Sequence, residues 1–104
     1  MIEVVYDRNV PKLTVKGHAG TAPAGEDLVC AAASILVCTL ADMERLERIG
    51  DHAVRFVKGD SEVSTIPLPG MRSSVLEVYD AVCNGFAILQ QHEPGAVKYE
   101  VRGV

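Results

Sequence analysis

Strongly basic segments are missing from this sequence. Its ten Lys and Arg residues are scattered singly between Arg8 and Arg102 and are outnumbered by fourteen Asp and Glu, for a net charge of −4. No stripe exists that could neutralise a run of phosphates, so nucleic acid is not expected as a direct ligand. Long apolar runs are missing too. The longest uncharged segment, Leu28 to Ala41, has 14 residues, short of the roughly 18–20 that a helix needs to cross a bilayer, and it reads as a buried helix with no role at a membrane. The opening residues Met1-Ile2-Glu3-Val4-Val5-Tyr6-Asp7 carry acids where a secretory leader needs a basic cap and an apolar stretch, so export is not expected. Cysteine is scarce: three residues, at positions 30, 38 and 83, with no CxxC pair. Neither a disulfide framework nor a zinc knuckle follows, and free thiols suit a reducing cytoplasm. His18, His52 and His92 are too dispersed to suggest a metal site, and no cofactor is implied.

What remains is the composition of an ordinary globular domain, 48% apolar and 23% charged over 104 residues, read as one domain spanning 1–104. Residues 2–7 and 12–17 alternate apolar and polar side chains, the mark of half-buried strands, with Asn9-Val10-Pro11 suited to the turn between them. An apolar run from Leu28 through Ile49 predicts a helix capped by Asp27 or Gly25 and stopped at Gly50. In its charged second half only Met43, Leu46 and Ile49 face inward, and Glu44 and Arg48 pair one turn apart. A second hairpin is expected over 53–58 and 62–66, turning at Gly59-Asp60. Ser74 and Glu77 form a capping box for a second helix that ends at Pro94-Gly95, and Val97 to Arg102 alternate as a fifth strand. The expected fold is α+β, in the order ββαββαβ: a two-layer sandwich whose five-stranded, mostly antiparallel sheet carries two helices on one face.

The segment that bears chemistry is Gly17-His18-Ala19-Gly20, a small-residue loop through Thr21, Ala22, Pro23, Ala24 and Gly25, then Asp27-Leu28-Val29-Cys30-Ala31-Ala32-Ala33-Ser34. It places a histidine at the end of a strand and a cysteine in the first turn of a helix. Unpaired N–H groups and the helix dipole there favour an anion, so the position suits a thiolate. A neighbouring imidazole would add a positive partner and a proton donor for a leaving group, the tasks a cysteine hydrolase asks of its base. Plain packing is the competing reading. A free cysteine between Val29 and Ala31 is ordinarily a core residue, and His18 reads equally as a polar strand end. Ser34 sits one turn beyond Cys30, with bonding to its own helix backbone as the default, and Asp27 reads as a cap. Cys38 and Cys83 are assigned to the core, His52 to a surface loop, and His92 to a helix end.

These residues resemble the signature of the ribosomal-processing cysteine protease family, Prp, whose pattern is close to G-H-A-G…G-D-I-V-C-A-A-V-S. The separation of His18 and Cys30 agrees, as do the size, the element order and the Asn84-Gly85-Phe86 region. The resemblance implies a cytoplasmic, homodimeric cysteine endopeptidase that removes a short N-terminal extension from a large-subunit ribosomal protein precursor. Its nucleophile falls on Cys30 and its general base on His18, with Asp27 and Ser34 beside the dyad and Ala19 to Gly25 as a loop over the substrate. Leu28 and Ala33 depart from the usual Ile and Val, and Pro23 is expected to stiffen the loop.

On this reading helix-start N–H groups serve as oxyanion donors, and the dyad closes only around substrate. Rival readings are a phage-type relative that trims a capsid or scaffold precursor, a non-catalytic dimeric assembly module, and a hydrolase of small esters or thioesters. Redox exchange is the weakest, for want of a partner cysteine.

Overall fold

A computed structural model describes residues 1–20 and 27–104. The elements are β1 (Ile2–Asp7), β2 (Lys12–Gly17), α1 (Leu28–Ala41), α2 (Glu44–Ile49), β3 (Gly50–Val57), β4 (Asp60–Pro67), α3 (Arg72–His92) and β5 (Val97–Arg102). They form an α+β fold around a five-stranded sheet of order β3-β4-β2-β1-β5. Only the β1–β5 pair is parallel, because β5 is reached by a helical crossover and not by a hairpin.

Strand register explains the layers. Tyr6 pairs with Leu13, Leu13 with Val63, and Val63 with Val54, so these four residues share one face of the sheet. That face meets Val37 and Leu40 of α1, and Val75, Tyr79 and Phe86 of α3, in one apolar core. The opposite face is wet. Arg55 lies 3.1 Å from Asp60 and 3.3 Å from Glu62, and Lys12 lies 3.7 Å from Glu62, half-exposed pairs that contribute little to stability. Gly85 lets the two long helices approach, since a Cβ there would fall 2.5 Å from Leu36 Cδ2. Among the described residues no helix is long and apolar enough to cross a membrane.

Several local expectations need correction. The helix expected over 28–49 is two helices, so the described residues form three. Asp42 ends α1, its N–H bonded to Cys38 O at 2.9 Å, and Met43 is extended (φ −76°, ψ 100°). The break redirects the charged segment so that Leu46 enters the core, fully buried, while Glu44, Arg45, Glu47 and Arg48 stay outside. Ser74 caps nothing. α3 starts three residues earlier, after the Leu68-to-Met71 turn, and its N-cap Met71 makes no side-chain bond. The β3–β4 hairpin is longer than expected and pairs Val57 with Asp60, moving its turn to Lys58-Gly59.

His52 is not a surface loop residue. It lies in β3 beside Thr65, with Nδ1 2.8 Å from Thr65 Oγ1 and Nε2 2.9 Å from Ala41 O. A carbonyl only accepts, so Nε2 carries a proton that it donates to Ala41, and Thr65 passes the chain on to Tyr79 Oη at 2.8 Å. Cys83 is buried as expected, but Cys38 is only half-buried.

Candidate active site

At the hairpin end of the sheet the helices leave the inner face uncovered. Phe56 shares that face with Ser61, its partner in register, yet stays 51% exposed. A cleft of about 740 Å³ opens there between α1, the end of β2 and the β3–β4 hairpin.

One wall comes from the end of β2. Gly17 adopts φ +91°, a conformation open to glycine, and turns the chain out of the strand. Its N–H donates to Gly59 O at 2.9 Å, which fastens the strand end to the hairpin turn. His18 follows and is exposed, its carbonyl accepting from the Met1 ammonium at 2.6 Å. The ring lies against Gly59, and among the described residues it makes no hydrogen bond.

The other wall is the first turn of α1. Asp27 is extended (φ −83°, ψ 99°) and its Oδ1 accepts from Val29 N at 3.1 Å and from Cys30 N at 3.0 Å. This is N-cap geometry. It corrects one expectation: two helix-start N–H groups foreseen as oxyanion donors are already taken by the Asp27 carboxylate. Cys30 is half-buried, and its Sγ accepts instead from the Ala19 N–H at 3.3 Å.

His18, Gly20, Asp27, Cys30 and Ser34 thus line one cleft, with buried Ala19 bonded to the sulfur. No hydrogen bond joins His18 to Cys30. Ser34 is exposed toward the cleft and does not bond back to its helix; that contact is made by Thr39, whose hydroxyl donates to Ile35 O at 2.6 Å. Thr21, Ala22, Pro23, Ala24 and Gly25 lie outside the described residues.

Sequence reasoning missed the far wall, built by Phe56, Val57, Lys58 and Gly59. Its one signal was the glycine in the hairpin turn, which reads as a turn former and carries no hint of a neighbour 41 residues upstream.

A cysteine-bearing helix start facing a histidine across an apolar cleft fits thiol chemistry on a peptide, and the family model for cysteine protease Prp matches residues 1–78, a span that holds both walls. The chain belongs to the Prp family of cysteine proteases. No curated protein matches the sequence. Among solved structures the chain is similar to a crystal structure of an essential ribosomal processing protease Prp from S. aureus in complex with a covalently linked product peptide. The TM-score is 0.79 at 13% identity, covering 98% of this chain and 100% of that one. It is similar also to the S. aureus protease with a substrate peptide (TM-score 0.76, 13% identity, 98% and 100% covered). A third likeness is to SMU.848 from Streptococcus mutans (TM-score 0.67, 22% identity, 97% and 91% covered). At these identities the structural likeness establishes the Prp fold over nearly the whole chain.

Proposed function

We propose that residues 1–104 form one protease domain, a cytoplasmic cysteine endopeptidase that removes a short N-terminal extension from a large-subunit ribosomal protein precursor. The supporting observation is the placement of Cys30 Sγ, under the Ala19 N–H and in the same cleft as His18. Cys30 attacks the scissile carbonyl as thiolate, and the C–N bond breaks as His18 delivers its proton to the departing amine. Water then attacks the thioester, giving up a proton to His18 and releasing the carboxylic acid and the sulfur. The Ala19 N–H, so near the sulfur, is the described donor best placed for the oxyanion.

Phe56, Val57 and Val37 give the cleft apolar walls, which favour an apolar peptide segment. His18 must swing from Gly59 toward Cys30 for proton transfer, so closure around substrate completes the dyad. On the outside of α1, Leu28 (82% exposed), Ala31 and Ile35 (64% exposed) form an uncharged face that supports a homodimer. The test is incubation with candidate precursors and mass spectrometry of the new N-terminus. Cleavage that survives Cys30→Ala would overturn the proposal.

A further inference from the structure

We infer that Gly59 is a positioning residue for His18: the bare turn of the β3–β4 hairpin is the platform on which the imidazole rests, and it sets where the ring starts its approach to Cys30. The inference rests on the reading of His18 as the base for Cys30.

Register brings the two together. β2 and β4 pair as far as Lys16 with Asp60, and the next residues outward on each side are Gly17 and Gly59. They are joined by the Gly17 N–H to Gly59 O bond at 2.9 Å. The hairpin turn therefore travels with the strand end that carries His18. A Cβ at position 59 would lie 2.8 Å from His18 Nε2 and 3.0 Å from Cε1, too close for either atom, so any side chain there forces the ring off its seat. The ring is free to yield. It is exposed and makes no hydrogen bond among the described residues, so the protein can fold with the imidazole displaced, and the effect falls on the ring's approach to Cys30. Displacements of about 1 Å at such a centre can cost about a hundredfold in rate.

Gly59 also has φ +78°, so Gly59→Ala strains the backbone whatever the ring does. Gly70 supplies the control: its φ is +80°, and a Cβ there would meet nothing within 4 Å. Gly70→Ala carries the strain without the contact.

The experiment measures kcat, KM and the urea midpoint for wild type, Gly59→Ala and Gly70→Ala on a precursor-derived peptide, with Cys30→Ala and His18→Ala alongside. Expected are similar falls in midpoint for the two glycine variants, a kcat lowered about tenfold or more in Gly59→Ala alone, and KM within about twofold throughout. Wild-type kcat in Gly59→Ala, or an equal loss of kcat in Gly70→Ala, overturns the inference. Should Gly59→Ala fail to fold, Gly59→Asn places the same Cβ on a residue that better tolerates left-handed backbone, and the same outcomes apply. Cleavage surviving Cys30→Ala or His18→Ala defeats the proposed function itself. Loss in both, with Gly59→Ala matching Gly70→Ala, defeats only the role of Gly59.

Discussion

The main-chain N–H of Ala19 donates to the sulfur of Cys30 across 3.3 Å. It ties the end of β2 to the first turn of α1, and it holds the thiol at the mouth of the cleft. Cys83, on α3, is fully buried in the core. The two sulfurs therefore face opposite fates.

Iodoacetamide should label Cys30 in the folded protein and leave Cys83 untouched until denaturant is added. Burial, reinforced by the Asp80 charge, pushes the Cys83 thiol up to about 12, so it has neither access nor thiolate character. Peptide mapping by mass spectrometry after brief labelling checks the order. Label on Cys83 in the native protein contradicts it. Cys30→Ala should lower cleavage about a thousandfold or more.

Stability should fall in alkali. Cys83 ionises at an ordinary 9.0 when unfolded and at about 12 in the fold; Tyr6, Tyr79 and Tyr99 are likewise raised, chiefly by burial. Raised values mean the folded chain holds protons that the unfolded chain releases. The stabilisation is complete below about pH 9 and is lost as pH climbs toward 12. Urea midpoints at pH 8, 10 and 11 test this, and equal midpoints at all three would count against it.

Acid should act through Asp80. Arg8 grips its carboxylate at 3.1 Å and Tyr6 donates to it at 2.7 Å, and together they hold it below the usual carboxylate range, Arg8 contributing most. The sign is opposite to that of the thiol. This stability is present above about pH 3.8, the ordinary value, and is lost as pH drops through the depressed one. Asp80→Asn should lower the urea midpoint at pH 7 and flatten its decline below pH 4. A variant as acid-sensitive as wild type would show that other carboxylates dominate.

Thr65 should matter more than Tyr79. Thr65, itself buried, joins half-buried His52 to buried Tyr79, so Thr65→Val strands two polar groups and should cost about 2–3 kcal/mol, against about 1 kcal/mol for Tyr79→Phe. Denaturation curves give both numbers. The reverse ranking would disprove the chain of bonds.

Asp27→Ala should destabilise by about 1–2 kcal/mol, and Asp27→Asn by less, because asparagine also caps. Urea titration of the pair separates capping from charge. Equal losses would place the effect in the charge.

β1 was legible because it has one dry face: Ile2, Val4 and Tyr6 point inward, and the pattern of two survives in the bare sequence. Cys30 was legible as a helix-start thiol, since Asp27 stands three residues before it. Ser74 misled because a capping box is a local pattern, and the turn through Pro69 and Gly70 starts the helix three residues earlier. His52 misled for a different reason. A polar residue two positions after a glycine looks like a loop until Thr65 and Ala41 O are brought beside it from 13 and 11 residues away.

The sequence alone determined the periodicities, the element order and the placing of a histidine at a strand end and a cysteine at a helix start, all of which depend on neighbours within a turn or a strand. Tertiary structure decided what faces them. Strand register put Gly59 under His18 and Phe56 across from α1, and helix packing left the cleft between them open. Contacts of that kind join residues tens of positions apart, and only the closing of the sheet against its helices selects them.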